Sequence, residues 1–230
     1  MGRSGAEGPA GGVGLFGGSF DPVHLGHLRA AEEVREAQHL AELRFVPAAM
    51  PPHKADAHMA PPAERRRMVE LAIADAPGFR LWDVEMLRSG PSYSIDTIRT
   101  LRTELGPQRR IAFVIGRDAF AEFASWKEHA ALLASCDVVV MTRPPWPLDL
   151  ALEDFPVACR EALRYDPTSG VFHHESGHRV ILQQITALDV SATAIRARVA
   201  AGGSIRFLVP PAVERHILER GLYRPEDTAR

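Results

Sequence analysis

The feature that most constrains the fold is a regular alternation of short apolar runs with longer amphipathic segments. Most of the apolar runs are too short and too uniformly apolar to be half-exposed, which favours a parallel sheet that is covered on both faces. The sequence predicts six strands, at residues 13–16, 43–46, 80–84, 111–115, 138–141 and 180–185, and six helices, at residues 23–38, 63–74, 94–105, 125–133, 191–201 and 211–220. This alternation predicts an α/β fold with a doubly wound, mostly parallel sheet.

Length and composition indicate one domain with a full hydrophobic core. The chain has 230 residues, of which 46% are hydrophobic and 24% are charged, and this length is near the upper end of single-domain size. Its first twelve residues are mostly glycine, alanine and small polar groups, without the apolar stretch of a signal peptide. We therefore expect a flexible tail at residues 1–12, a single domain at residues 13–224 and a second tail at residues 225–230.

Charge and cysteine content argue against several classes of protein. The net charge of −2 lacks the basic excess of most nucleic-acid and membrane-surface binders, so we expect neither partner. No apolar run approaches the roughly 20 residues that a membrane-spanning helix needs. Cys136 and Cys159 lie far apart in a chain without a secretory signal, which indicates free thiols and a cytoplasmic location.

A glycine- and histidine-containing string lies between the first predicted strand and the first predicted helix. It runs from Gly17 to His27 and reads Gly-Gly-Ser-Phe-Asp-Pro-Val-His-Leu-Gly-His. The paired glycines let backbone N–H groups approach an anion closely, and the following helix offers its positive end. His24 and His27 are three residues apart and share one helix face, with the bare surface of Gly26 between them. Two imidazoles there are suited to stabilising charge that develops on a transferred phosphate.

Two other interpretations fit part of this region. The glycines can form a simple turn while the histidines cap or cover the core, but the complete string between a strand and a helix favours a phosphate site. The spacing Gly12-x-Gly14-x-x-Gly17 imitates a dinucleotide fingerprint. It overlaps the strand instead of following it, and no acidic residue closes a second strand about twenty residues on. We therefore reject the fingerprint.

A second phosphate site is predicted near the other end of the chain. Ser191 is a good N-cap for the helix that follows a predicted strand, and Thr193 and Arg196 face the same side at its start. Hydroxyls, free backbone N–H groups and a guanidinium together suit a triphosphate. Alone, the segment is more typical of a capped amphipathic helix, and only its combination with the first string favours a polyphosphate clamp.

Together the two strings resemble the signatures of the nucleotidyltransferases that share a His-x-Gly-His motif. Further markers narrow the resemblance to the bacterial nicotinate mononucleotide adenylyltransferase family. These markers are Pro51-Pro52-His53-Lys54, Pro91-Ser92-Tyr93-Ser94, Gly116-Arg117-Asp118, Trp126, Arg143-Pro144 and Gly221-Leu222-Tyr223-Arg224. The resemblance extends over residues 13–224, with the motifs in family order, and implies a Rossmann-like nucleotidyltransferase fold.

The resemblance implies an enzyme of NAD biosynthesis that takes ATP and nicotinate mononucleotide as its substrates. AMP would pass from ATP to the 5′-phosphate of the mononucleotide, giving deamido-NAD and pyrophosphate by direct displacement at the α-phosphorus. Mg²⁺ would arrive on the triphosphate, largely hydrated, which suits a sequence without a carboxylate cluster for it. The resemblance leaves room for a homo-oligomer.

The same resemblance assigns roles to individual residues. His24, His27 and Arg196 would be the catalytic residues. The ATP-binding residues would be Gly17, Gly18, Ser19, Phe20, His24, Gly26, His27, Gly116, Asp118, Arg143, Ser191, Thr193 and Arg196. The acceptor-binding residues would be His53, Lys54, Ser94 and Trp126, with Trp126 stacked on the nicotinate ring.

The chain departs from the family pattern in the acceptor region. Family members often carry asparagine just before the Pro-Pro-His segment, where this chain has Ala48 and Ala49, so backbone contacts would have to replace side-chain contacts to the mononucleotide phosphate. Ser94 stands where the family usually has threonine. Strictness for nicotinate therefore stays open. Nicotinamide mononucleotide or phosphopantetheine is an alternative acceptor, and a non-catalytic nucleotide sensor is an alternative of another class.

Two further patterns are interpreted as structural. The sequence from His174 to His178 matches the zinc-protease pattern His-Glu-x-x-His, but Gly177 interrupts it and a strand follows, so a solvated hairpin loop is the better interpretation. The run Arg65-Arg66-Arg67 is interpreted as a solvated helix face, because its members point in different directions and acidic neighbours offset them. Residues 47–62 are expected to be a proline-rich loop and residues 143–177 a long irregular connection.

Overall fold

The computed structural model describes residues 11–50, 59–143, 155 and 157–225, which form an eight-stranded sheet with helices on both faces. The strands are β1 (Gly12–Gly18), β2 (Leu40–Pro47), β3 (Phe79–Leu81), β4 (Ile111–Gly116), β5 (Asp137–Thr142), β6 (Leu163–Asp166), β7 (Val171–His174) and β8 (Arg179–Gln184). The helices are α1 (Leu25–Ala37), α2 (Pro62–Ile73), α3 (Ser94–Leu105), α4 (Arg117–Ala121), α5 (His129–Leu133), α6 (Val157–Arg160), α7 (Ala192–Ala200) and α8 (Pro211–Glu219).

The sheet confirms the predicted doubly wound α/β fold. Its strand order is β3-β2-β1-β4-β5-β8-β7-β6, and every pair from β3 to β8 is parallel. The pairs β8–β7 and β7–β6 are antiparallel, and β6 and β7 form a hairpin extension beyond β8. The order reverses between β1 and β4, and in such sheets the crevice at the carboxyl ends of the two reversing strands is where ligands bind.

Two hydrophobic layers hold the helices against the sheet. On one face, α1, α2, α7 and α8 pack their apolar stripes against alternate residues of the central strands, including Phe45 and Val114. On the other face, α3, α4 and α5 cover the intervening residues, including Phe113 and Val140. Successive residues of each central strand are buried on opposite faces, which is why the apolar runs show no polar alternation.

The structure differs from the sequence prediction in four places, of which one is the short helix α4, which directly follows β4 and was not predicted. The predicted irregular connection at 143–177 contains α6 and the hairpin strands β6 and β7. These strands have only four residues each and mix buried with exposed positions, so they form no uniform apolar run. The predicted helix at 125–133 is shorter, because Glu128 has a positive φ and separates a 3-10 turn at Phe123–Ser125 from α5. The predicted strand at 80–84 is limited to β3.

Candidate active site

The two histidines of the first string are fixed at the N-terminus of α1. His24 is the N-cap residue, and its backbone N–H donates to Nδ1 of His27 at 3.2 Å. The two rings stack with centroids 3.7 Å apart and planes 22° apart. Because Nδ1 of His27 accepts a hydrogen bond, its ring proton sits on Nε2, which makes Nε2 a donor.

His24 is held as a neutral imidazole. Its residue is only 7% exposed, and burial, assisted by the positive charge of Arg143, lowers its pKa to about 4. Its Nδ1 atom is buried and makes no hydrogen bond to the described residues. A buried polar atom without a partner is uncommon in folded proteins and is typical of a site that receives a ligand.

The glycines of the first string serve different purposes. A Cβ at Gly17 would meet nothing within 4 Å, so the carboxyl end of β1 is open to a ligand at this residue. A Cβ at Gly26 would lie 2.9 Å from Cγ1 of Val190 and 3.1 Å from Nδ1 of His24. Gly26 therefore allows the His24 ring and Val190 to pack against the helix, instead of presenting the bare surface that the sequence suggested.

The Phe20 side chain lies in the core. It is 2% exposed, and its ring contacts the rings of Phe16 and His27 edge-on, with centroids 5.6 and 5.1 Å away. The prediction that Phe20 contacts ATP is therefore corrected for its side chain, which supports His27 from behind. An ATP contact at this residue is limited to its backbone.

The second string adjoins the first, as the clamp interpretation requires. Ser191 is the N-cap of α7, and its Oγ accepts the N–H of Ala194 at 3.2 Å. Nη1 of Arg196 donates to the backbone oxygen of Asp21 at 2.8 Å and lies 3.5 Å from Oδ2 of the same residue. Thr193 is exposed on the first turn of the helix.

Asp21 joins four segments of the chain. Its Oδ1 accepts the N–H of Ala60 at 3.1 Å and the hydroxyl of Tyr223 at 2.7 Å. Burial and the nearby Asp21 carboxylate raise the pKa of Tyr223 far above its usual range, so it stays a neutral donor. Asp21 and Tyr223 each belong to a motif of the family pattern, but neither was predicted to have a role, because nothing local in the sequence links them.

A cavity of about 370 Å³ lies between the carboxyl ends of β1 and β4. It brings together candidates for both substrates: Gly17, Gly18, Ser19, Ser94, Gly116, Asp118 and Trp126. Trp126 follows the 3-10 turn, and its ring lies against the rings of Phe113 and Phe123, with centroids 6.1 and 5.4 Å away. Ser94 begins α3. Arg143 is exposed directly after β5 and acts electrostatically on His24.

A buried carboxyl in this cavity escaped sequence reasoning. Glu85 is 8% exposed, and its Oε1 accepts the hydroxyl of Thr97 at 2.7 Å. Burial raises its pKa, in spite of hydrogen bonds and of the nearby Arg88 charge. Its position in an irregular segment before α3 offers no periodic signal that would have predicted its burial.

The arginine run on α2 is only partly a solvated face. Arg67 is exposed and pairs with Glu70, as predicted, whereas Arg66 is half-buried and pairs with Asp83. Arg65, in contrast, is fully buried, so the prediction is wrong for this residue. The error has a physical cause, because the groups that surround the guanidinium come from loops that are distant in the sequence.

The remaining sequence predictions concern residues that do not line this cavity. His53 and Lys54 lie outside the described residues. Among the described residues, no three histidine, cysteine or carboxylate side chains converge as metal ligands. The segment from His174 to His178 links β7 to β8, which confirms the hairpin, but His174 ends β7 and is buried, so the prediction of a solvated loop is wrong for this residue. None of the helices in the described part of the chain is long and apolar enough to cross a membrane.

Comparison with known proteins gives a consistent result. The sequence profile of the cytidylyltransferase-like family matches residues 15–198. A protein of Syntrophotalea carbinolica named probable nicotinate-nucleotide adenylyltransferase is 45% identical over 215 residues, which cover 94% of this chain and 98% of that protein. A protein of the same name from Chromohalobacter salexigens is 45% identical over 214 residues, covering 92% and 95% of the two chains.

Solved structures share the fold at low sequence identity. Nicotinic acid mononucleotide adenylyltransferase of Plasmodium falciparum, complexed with NaAD, superimposes with a TM-score of 0.69 at 19% identity. The alignment covers 93% of this chain and 97% of that one. A putative nicotinate-nucleotide adenylyltransferase of Vibrio parahaemolyticus has a TM-score of 0.61 at 18% identity and covers 93% and 96% of the two chains. These likenesses establish the architecture.

Proposed function

This chain belongs to the nicotinate-nucleotide adenylyltransferase family, and we propose on that basis that it transfers AMP from ATP to nicotinate mononucleotide. One observation carries the proposal beyond the family assignment. Arg196 of α7 bonds to Asp21 of the first string at 2.8 Å, so this guanidinium is attached to the string that carries both imidazoles and whose Gly17, Gly18 and Ser19 line the cavity at the β1–β4 switch point. This is the arrangement that a triphosphate and an acceptor phosphate need.

The chemistry is an in-line displacement at phosphorus. An oxygen of the mononucleotide 5′-phosphate attacks the α-phosphorus of ATP, the bond from this phosphorus to the α,β-bridging oxygen breaks, and pyrophosphate leaves with that electron pair. No group of the protein bonds covalently to the AMP. The protein therefore has to align the two phosphates and stabilise the negative charge that develops on the departing pyrophosphate.

The site residues suit these two tasks. His27 presents an Nε2–H donor because its Nδ1 is occupied by the His24 backbone. His24, neutral because burial lowers its pKa to about 4, also carries one ring proton and can donate without adding charge to the site. Arg196 supplies a permanent positive charge. The N-terminus of α7, with Ser191 and Thr193, offers further donors for the β- and γ-phosphates.

The metal ion enters this proposal as part of the substrate. Mg²⁺ would be held by phosphate oxygens and water. When bound, it would neutralise part of the triphosphate charge.

The acceptor would occupy the cavity. Trp126, partly exposed and braced by Phe113, offers a face for the nicotinate ring, and Ser94 offers a hydroxyl and a helix N-terminus for its carboxylate. Gly116 and Asp118 would contact the ATP ribose or adenine side. His53 and Lys54 remain predicted contacts of the mononucleotide phosphate. Cys136 and Cys159 are buried free thiols, which supports a cytoplasmic location.

Pyrophosphate release with ATP and Mg²⁺ tests the proposal, with nicotinate mononucleotide, nicotinamide mononucleotide and phosphopantetheine as separate acceptors. We expect the highest kcat/KM with nicotinate mononucleotide and formation of deamido-NAD. Equal or better turnover of the amide would refute the choice of acceptor. Binding of ATP without turnover of any acceptor would favour a nucleotide sensor instead.

A further inference from the structure

Arg65 of α2 binds four backbone carbonyls from three separate segments. Its Nη1 donates to Ser19 O at 2.9 Å and to Ala48 O at 2.6 Å, its Nη2 to Ala49 O at 3.1 Å, and its Nε to Ala60 O at 3.1 Å. The residue is 1% exposed. The guanidinium therefore ties the loop after β1, the loop after β2 and the start of α2 to one rigid planar group.

The segment after β2 depends on this contact. β2 ends at Pro47, and Ala48 and Ala49 belong to no helix or strand and carry only methyl side chains. Apart from Arg65, Ala48 is held through its N–H, which donates to Gly18 O at 2.9 Å. A buried cation is costly unless polar groups replace its water. The four carbonyls do so, and the Asp21 carboxylate adds a favourable charge nearby.

The contacts also fix the direction of the neighbouring N–H groups. In a planar trans peptide, the N–H points away from the carbonyl of the same unit. The carbonyls of Ser19, Ala48 and Ala49 face Arg65, so the N–H groups of Phe20, Ala49 and Met50 point away from it. Ser19 and Ala48 line the cavity, whereas Arg65 lies behind them.

We propose that Arg65 is a positioning residue that holds these peptides so that their N–H groups receive the phosphate of the acceptor mononucleotide. Backbone donors oriented by Arg65 then replace side-chain contacts that Ala48 and Ala49 cannot make. The inference rests on the proposed function, because it concerns the acceptor of that reaction. Arg65 itself does not touch the substrate.

The variant Arg65→Lys tests this role, because an ammonium keeps the charge but cannot span four carbonyls in one plane. We expect the KM for nicotinate mononucleotide to rise about tenfold or more, with the KM for ATP and kcat changed less than about threefold. Arg67→Lys is the matched control, since Arg67 lies on the same helix and is exposed. It should leave all three constants unchanged.

A second measurement does not depend on a folded variant. In ¹⁵N-labelled wild-type protein, titration with nicotinate mononucleotide should shift the amide resonances of Phe20, Ala49 and Met50. A saturating titration without these shifts would overturn the proposal. So would an unchanged mononucleotide KM in Arg65→Lys, or a rise in both KM values together. Failure of the wild-type protein to use any mononucleotide would instead refute the proposed function.

Discussion

The side of the sheet at the carboxyl ends of the parallel strands (the carboxyl edge) differs from the side at their amino ends (the amino edge) in whether buried polar groups are hydrogen-bonded. At the carboxyl edge, Nδ1 of His24, Oδ2 of Asp21 and Oγ1 of Thr142 are buried and make no hydrogen bond to the described residues. At the amino edge, Asp137 is 4% exposed and is fully engaged. It accepts hydrogen bonds from Nε of Arg110 at 2.8 Å and from Nη2 and the backbone N–H of Arg179 at 2.7 and 3.0 Å.

The difference separates groups that serve folding from groups that serve binding. Burial alone would raise the pKa of Asp137, but hydrogen bonds and charges from Arg179 and Arg110 outweigh it and lower the pKa. At His24, burial and the like charge of Arg143 both disfavour the cation, and no carboxylate compensates. The amino edge is electrostatically complete, whereas the carboxyl edge keeps donors and acceptors for a ligand.

The largest effect on turnover is expected from a substitution at the carboxyl edge. His27→Ala should reduce turnover by roughly 10²–10³-fold, because it removes a donor directed at developing phosphate charge. The matched control is His178→Ala, since His178 is the histidine beside Asp137 at the amino edge. That variant should keep wild-type turnover. Steady-state pyrophosphate release measures both, and a normal rate in His27→Ala would mean that the first string has been misinterpreted.

Acid should affect the two edges in different pH windows. The folded protein binds the His24 proton less readily than the unfolded chain, since the pKa falls from 6.5 to about 4. His24 therefore lowers the free energy of unfolding as the pH falls from about 6.5 to about 4, by up to about 3 kcal/mol. Asp137, whose pKa is lowered from 3.8, loses its stabilising effect only below that window.

Urea unfolding of His24→Asn and of the wild type, at several pH values, measures this difference. The variant should lose less stability than the wild type between pH 6.5 and 4. Parallel stability curves across that range would show that His24 is not held as a neutral imidazole.

Asp137→Ala should affect stability and spare catalysis. Removing the carboxylate leaves the guanidinium groups of Arg110 and Arg179 without their hydrogen-bond acceptor. Each side chain is about one third exposed, so water replaces part of the lost interaction. We expect a loss of about 2 kcal/mol and a fall in Tm of roughly 5 °C, with turnover of the folded protein within about twofold. Asp166→Ala, on the exposed β6–β7 hairpin, is the control and should change Tm little. A selective loss of turnover in Asp137→Ala would contradict the division between the edges.

The smallest expected effect concerns Glu85. The variant Glu85→Gln keeps an acceptor for Thr97 and removes a carboxylate whose ionisation burial disfavours. Because the pKa of Glu85 is raised above its ordinary 4.5 in the folded protein, the penalty builds up as the pH rises above 4.5 and is complete above the raised pKa. We expect Tm to rise by about 1–3 °C at pH 8 and to change little at pH 4. Glu122→Gln, exposed at the same cavity, should change neither value. A gain of equal size at both pH values would rule out ionisation as the cause.

The parts of this molecule that could be predicted from sequence have local causes. The start of α1 follows from a short periodic pattern, and the structure places it one residue after His24. The paired glycines were predicted to form the turn after the first strand, but they are the last two residues of β1, and the turn lies at Asp21 and Pro22. The central strands were found because both of their faces are buried. The hairpin of β6 and β7 was missed, since four-residue strands with one exposed face resemble a polar loop.

The remaining part of the site depends on contacts between distant residues. Arg65 binds carbonyls that are 5, 16, 17 and 46 residues away, and nothing in the sequence distinguishes it from its neighbours Arg66 and Arg67, which lie at the surface of the helix. The cavity wall at Glu85 depends on how α3 packs against the sheet. Neither arrangement has a periodicity that a single sequence displays.

The bond between Asp21 and Tyr223 makes the first string depend on the segment that follows α8. The two residues are 202 positions apart, and Tyr223 lies just after α8. A change that detaches this segment, such as local fraying or proteolysis, removes the hydroxyl that holds the Asp21 carboxylate beside Arg196. Damage at a position remote in sequence from the two histidines therefore reaches the loop that precedes them.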